Sequence, residues 1–197
     1  MEDAVEQLAS LPGIGKRTAL RLVIQLLNRK PDEIERFASS FTAMKENVKH
    51  CLSCNNISDL EICTICSNTN RSHDIICVVE DVRDVMAIEE TSSFKGVYHV
   101  LGGVISPMDG VGPNDLQIQS LVEKAQSGQI KEVIFALSPT MEGDTTNFYL
   151  YKKLKAFNII ITTLSRGVSV GSELHYADGL TLSRSIVNRT IFKVEGY

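Results

Sequence analysis

Ile75-Ile76-Cys77-Val78-Val79-Glu80 is the stretch whose reading fixes the fold class of this chain. Five consecutive apolar residues have the length of a strand and end on a carboxylate. A second run, Val133-Ile134-Phe135-Ala136-Leu137, has the same character and leads to Glu142-Gly143-Asp144. Each run is followed by a helix-like stretch. In an open parallel sheet both acidic groups lie at the C-terminal ends of strands, where such folds place their sites. Three carboxylates converging there, Glu80, Glu142 and Asp144, would suit a divalent metal and phosphate chemistry.

Working outward, the pattern predicts a helix over 81–90, a strand over 98–101 and a loop through Gly102-Gly103. A helix over 114–127, a strand over 133–136, a helix over 144–156 and a strand over 159–163 follow. This alternation implies an α/β fold, a parallel sheet covered by helices on both faces. Beyond residue 165 the chain is punctuated by glycine. Asp178-Gly179-Leu180 then opens a last helix, and Ile191-Phe192-Lys193-Val194 has the character of an edge strand.

Upstream of the first strand stands Cys51-x2-Cys54-x8-Cys63-x2-Cys66. Two C-x-x-C pairs supply four thiolates, enough to close a tetrahedral structural Zn²⁺ site with no open position for substrate. The metal would replace a core that so short a segment cannot build. His50 and His73 flank the set but are not needed to complete it. Cys77, inside the apolar strand, reads as a buried small hydrophobe.

The N-terminal region is helical. Residues 2–9 form a short helix, and Leu11-Pro12-Gly13-Ile14-Gly15-Lys16-Arg17-Thr18-Ala19 precedes an amphipathic segment over 20–27. The glycines permit a tight turn whose N–H groups face outward at a helix N-terminus, a natural phosphate site. Lys16, Arg17 and Arg21 add positive charge beside it. The arrangement resembles a helix-hairpin-helix DNA-binding motif, which reads backbone rather than sequence. The spacing of a nucleotide P-loop is absent, and a helix rather than a strand precedes the glycines. A helical pair used only for subunit packing is compatible with the same residues. Pro31-Asp32-Glu33 opens a further helix over 31–49, whose Ile34, Phe37, Phe41, Met44 and Val48 at helical spacing imply packing on its neighbours.

The bulk properties narrow the class. The chain has 197 residues, 43% of them apolar and 22% charged, and a net charge of −4. Such a charge argues against coating nucleic acid by bulk attraction, so DNA binding must come from a local patch. No run approaches the roughly 18 apolar residues of a membrane span. The start at Met1-Glu2-Asp3 lacks a basic apolar leader, which implies a cytoplasmic protein. Five cysteines in that compartment read as metal ligands or buried thiols.

Taken together, these motifs resemble the Toprim domain in the second half of the chain and the bacterial RecR family over essentially its whole length. The residues that carry the resemblance are Leu11-Pro12-Gly13-Ile14-Gly15, the four cysteines, Val79-Glu80, Tyr98-His99-Val100-Leu101-Gly102-Gly103, Ile105-Ser106-Pro107, Glu142-Gly143-Asp144-Thr145 and Gly171-Ser172-Glu173-Leu174. The resemblance implies a helix-hairpin-helix region over 1–49, a four-cysteine zinc finger over 50–70, a Toprim domain over 71–168 and a C-terminal segment over 169–197 that makes oligomer contacts. It implies a non-enzymatic mediator of recombinational DNA repair, nucleoid-associated in a bacterial cytoplasm and assembling from dimers into a tetrameric ring. Acting with RecO and RecF, such a protein promotes RecA loading on gapped single-stranded DNA. Carried onto this chain, DNA contact falls on Gly13, Gly15, Lys16, Arg17 and Arg21. Glu80, Glu142 and Asp144 become a partner-binding face with occasional Mg²⁺ binding, beside one structural Zn²⁺ per chain. Two departures stand out: Glu142 replaces the first Asp of a catalytic Asp-x-Asp pair, and Thr146 takes the place of a possible third acid. Ser169 also stands where the family has proline. The alternative class is a Mg²⁺-dependent Toprim nuclease, which needs no further domain. A topoisomerase or a primase would need modules for which no residues are left over.

Overall fold

The computed structural model describes residues 1–165, 167–168, 171, 173–189 and 191. The chain divides into two compact units, the first Met1–Lys49 and the second beginning at His50.

The first unit is all helical: α1 (Glu2–Ala9), α2 (Lys16–Leu27) and α3 (Pro31–Asn47). Ala19 and Val23 of α2 are its buried residues. The expectation for α3 needs correction. No residue of this helix is buried, and Phe37, Phe41 and Met44 are exposed, the two rings meeting edge-on at 5.0 Å. The apolar spacing predicted correctly that the segment is a helix, but nothing within its own unit covers the stripe.

From Lys49 onward a two-stranded ladder, β1 (Lys49–His50) with β2 (Ile57–Ser58), and the short α4 (Thr64–Ser67) frame the cysteines. The α/β part follows as β3 (Ser72–Val79), α5 (Val82–Glu90), β4 (Gly96–Val100), α6 (Ile118–Gln126), β5 (Glu132–Phe135), α7 (Met141–Leu154) and β6 (Ile160–Thr163). The four long strands form one parallel sheet in the order β4-β3-β5-β6. Helix α8 (Gly179–Val187) comes last, capped by Asp178. Of the expected C-terminal edge strand, Phe192 to Val194 lie outside the described residues, as does Ser169.

Alternation along β3 sorts its side chains into two layers. Ile76 and Val78 pack with Val133 and Phe135 of β5 under Leu121 of α6 and Leu150 and Leu154 of α7. Cys77 and Val79 face the other way and join Tyr98 and Val100 of β4, Val85 of α5 and Ile65 of α4. The cysteine segment therefore covers part of one sheet face. Hydrogen bonds reinforce this: Val100 N–H donates to Cys54 O at 2.8 Å, and Asn55 Nδ2 donates to Val100 O at 3.1 Å. Burial pushes the Cys77 thiol up to about 12, as expected of an inert core residue.

Two helix starts differ from the sequence reading. Pro113–Asp115 forms a separate 3-10 turn, so α6 begins only at Ile118. Thr140 caps α7, its Oγ1 accepting the Gly143 N–H at 3.1 Å, so Glu142 and Asp144 lie within the first helical turn rather than before it.

Candidate functional sites

The order β4-β3-β5-β6 has a consequence for the acids. From β3 the chain crosses to β4 on one side, and from β5 it crosses to β6 on the other. The sheet thus reverses direction between β3 and β5, and such a reversal opens a crevice at the C-terminal strand ends. Glu80 follows β3 directly, and Glu142 and Asp144 follow β5.

The three carboxylates are nevertheless not drawn into one ligand set. Among the described residues the four cysteines are the group of three or more potential ligands close enough to share an ion. Glu80 is half-buried, and its carboxyl is raised first by desolvation and then by the charges of Asp84 and Asp81. Asp144 faces Arg184 at 3.8 Å. Helix capping falls to their neighbours: Asp81 Oδ1 accepts the Arg83 N–H at 2.7 Å, and Asp84 Oδ2 accepts the N–H groups of Glu80 and Asp81. Thr146 is fully buried; its hydroxyl accepts the Ile105 N–H at 2.9 Å and donates to Glu142 O at 2.7 Å. It ties the Ile105-Ser106-Pro107 loop to α7.

The four thiolates converge closely. Their sulfur atoms all lie within 4.8 Å of one another, against an edge of about 3.8 Å for a tetrahedral Zn–S₄ centre. Cys54 and Cys63 Sγ are 3.5 Å apart. Two backbone amides already point at sulfur, Cys63 N–H at Cys51 Sγ (3.2 Å) and Cys66 N–H at Cys63 Sγ (3.4 Å). A hydrogen bond from Cys54 draws the Cys66 thiol down to about 5, while the same contact and burial push Cys54 up. His50 and His73 stand outside the set, each hydrogen-bonded to a backbone carbonyl, of Asn55 and Asn68 respectively. The donor set suits Zn²⁺ in a closed structural site.

At the hairpin, Ile14 N–H closes a turn onto Leu11 O at 3.1 Å, and Gly13 takes φ +80°, a left-handed conformation natural to glycine. Gly15 is the N-cap of α2 and offers no side-chain cap. The first amides of α2 therefore remain available to a ligand. Lys16, Arg17 and Arg21 are exposed, and none pairs with a carboxylate among the described residues.

Two polar clusters, one buried and one half-buried, escaped the sequence reading. His99 is buried; its Nε2 donates to Gln117 O at 2.7 Å and its Nδ1 accepts from Lys124 Nζ at 3.2 Å, which makes the ring neutral. Desolvation and the Lys124 charge lower it to about 4. Arg71 pairs with Glu89 at 2.5 Å and donates to Gly96 O, and Tyr98 O–H also donates to Glu89 at 2.7 Å. Both clusters join segments distant in sequence, a relation no local spacing encodes.

Comparison with known proteins matches successive parts of the chain. The family models are RecR, helix-hairpin-helix (residues 1–45), the RecR four-cysteine zinc finger domain (48–68), Toprim domain (74–165) and RecR, C-terminal (167–190). The chain is 61% identical over 193 residues to the recombination protein RecR of Flavobacterium psychrophilum, covering 98% of this chain and 94% of that one. It is 57% identical to the RecR of Bacteroides thetaiotaomicron, with 98% and 94% covered, and 55% identical to that of Parabacteroides distasonis, with 98% and 93% covered.

Proposed function

The chain belongs to the RecR family of recombination proteins, and from that premise we propose that it is a non-catalytic, DNA-binding mediator of recombinational repair. The observation that carries this reading is the hairpin tip, where uncapped helix amides and three uncompensated cations face solvent together. DNA, single- or double-stranded, is bound there through its phosphates by Gly13, Gly15, Lys16, Arg17 and Arg21, without sequence preference. The protein acts with RecO and RecF to promote RecA loading on gapped single-stranded DNA. Glu80, Glu142 and Asp144 form the face offered to these partners, and one structural Zn²⁺ is held by Cys51, Cys54, Cys63 and Cys66. The work is divided among residues 1–49, 50–70, 71–168 and 169–197, in a protein of the bacterial cytoplasm and nucleoid. Assembly through dimers to a tetrameric ring is supported by the uncovered apolar stripe of α3. Among the described residues no helix is long and apolar enough to cross a membrane.

Arg17→Glu should weaken binding to single- and double-stranded oligonucleotides alike, and lower the slope of log K against log salt by about 1. Filter binding across a salt series reads both quantities. Unchanged isotherms would take the hairpin out of the DNA site.

A second reading, a Mg²⁺-dependent nuclease, is favoured by the place of the three acids at the crevice end of the sheet. Supercoiled plasmid and gapped DNA incubated with the protein and Mg²⁺ should remain intact. Cleavage or relaxation abolished by Glu80→Ala would replace the mediator reading with an enzymatic one.

A further inference from the structure

Among the described residues the sheet ends at β6, and its outer edge runs beside α7. The Ile160 N–H donates to Lys131 O at 2.9 Å, and the Leu164 N–H to Phe135 O at 3.3 Å, so these residues turn their backbone toward β5. Strand geometry alternates residue by residue. The N–H and C=O groups of Ile161 and Thr163 therefore point away from β5, and no strand meets them among the described residues. Edge strands are ordinarily blunted by proline, lysine or a bulge. The Ile160-Ile161-Thr162-Thr163 segment carries none of these.

Along the neighbouring helix, Asp144, Phe148 and Tyr151 recur at i, i+4 and i+7 on one face of α7, and Lys155, its C-cap, continues the spacing. Phe148 and Tyr151 are 60% and 49% exposed. With the β6 edge they line a hollow of about 330 Å³. Asn147 lines the same hollow, and its Oδ1 is buried without a hydrogen-bond partner. A buried acceptor left unpaired is costly and rare in a finished structure. Charge changes along the helix segment beside the hollow. Asp144 is engaged by Arg184. Lys152, whose ammonium lies 4.4 Å from the Phe148 ring centre, and Lys155 form no ion pair among the described residues.

We propose that this hollow is a docking groove for an extended, acidic-ended peptide segment of a partner protein. The segment adds as a fifth strand along β6, seats apolar side chains on Phe148 and Tyr151, and sets its carboxylate beside Lys155. In strand addition the main chain supplies affinity and alternate side chains supply specificity. The guest satisfies the outward N–H and C=O groups of Ile161 and Thr163. Its negative end answers the two uncompensated lysines. Single-stranded nucleic acid would use the rings and lysines, but it would turn phosphate oxygens toward the two outward backbone carbonyls, both acceptors. The chemistry therefore favours a peptide. The groove belongs to the second unit and the hairpin to the first, and the inference does not rest on the DNA reading.

The test uses the full, zinc-loaded chain and two fluorescein-labelled peptides, Thr-Val-Thr-Val-Thr-Val-Asp-Asp and the same residues in reverse order, followed by anisotropy. One order should bind saturably and at least fivefold more tightly than its counterpart with lysines for aspartates. Lys155→Glu, on an exposed side chain, should weaken it at least fivefold. Thr163→Pro deletes an outward N–H while leaving the amides that face β5, and should weaken binding at least tenfold. Both variants should retain the wild-type affinity for labelled oligodeoxythymidine, which Arg17→Glu lowers. Absence of saturable binding by either order, or binding indifferent to both substitutions, overturns the proposal. Loss of oligodeoxythymidine binding in Lys155→Glu would assign the face to nucleic acid instead. A smaller particle by light scattering in Thr163→Pro, with no peptide bound, would assign it to a second copy of the chain.

Discussion

Cys63→Ser protein should purify with little zinc and a greatly reduced folded fraction. The serine isolates the metal's contribution, because Cys63 has two roles. It is one of the four converging thiolates, and it is the N-cap of α4, its Sγ accepting the Cys66 N–H. Serine is a good N-cap, so the cap survives while a thiolate ligand becomes a neutral hydroxyl that Zn²⁺ binds poorly. Structural zinc sites in small fingers contribute roughly 10 kcal/mol to folding. The damage should reach the sheet, since Cys54 O holds the Val100 amide at the end of β4. Metal analysis, a thermal melt and hydrogen exchange at Val100 give three readings of one event. Zinc content and melting temperature equal to wild type would detach the cysteines from any metal.

The second large effect is expected from Gly143→Ala. A Cβ at this position would sit 2.0 Å from Ser138 O, a backbone atom that cannot swing aside as a side-chain tip can. Relief requires moving either the Ser138-Pro139-Thr140 turn or the first turn of α7, and the second choice breaks the Thr140 cap on the Gly143 amide. Overpacking against backbone belongs at the upper end of its usual range, about 3 kcal/mol. For a chain of this length that lowers the melting temperature by about 6–12 °C. Gly112→Ala is the control, since its Cβ would meet Asp115 Oδ2 at an ordinary 3.5 Å. If the two variants melt together, the close approach at Gly143 is not a constraint. A clear difference would explain why glycine separates two acids, Glu142 and Asp144: both must start a helix pressed against the turn that precedes it.

What the sequence revealed and what it concealed divide along physical lines. Apolar runs of strand length disclosed β3 and β5, because burial leaves a local mark, and the β-branched run Ile159-Ile160-Ile161-Thr162-Thr163 disclosed β6 although its ends are exposed. The C-x-x-C pairs disclosed the thiolate cluster, because tetrahedral ligation from two tight turns, one in the β1–β2 ladder and one at the start of α4, fixes the spacing. The glycines of Leu11-Pro12-Gly13-Ile14-Gly15 disclosed the turn, and one of them does take a positive φ. Convergence of Glu80 with Glu142 and Asp144 was expected from strand-end placement, and strand order does bring them to one end of the sheet. Placement at one end is not contact, however, and side-chain separation depends on where α7 begins, which the Thr140 cap decides. The uncovered stripe of α3 was hidden because a periodic pattern predicts an apolar face without saying what covers it. The His99–Lys124 and Arg71–Glu89–Tyr98 clusters were hidden because their members lie far apart in sequence.

The bond from Cys54 O to the Val100 amide also has a meaning in time. The four clustered cysteines span only residues 51–66, so their loops close with little entropy loss, whereas the sheet waits for Ile75 to meet Glu132 across most of the domain. During synthesis Cys66, the last of the four, leaves the ribosome while β5 is still untranslated, an interval on the order of 10 s. The finger is therefore finished first, and it presents a fixed carbonyl to which the edge of the growing sheet is fastened when β4 arrives. If the four thiolates take zinc, its supply at the moment of translation, as well as its affinity at equilibrium, is expected to set how much of this chain reaches its native state.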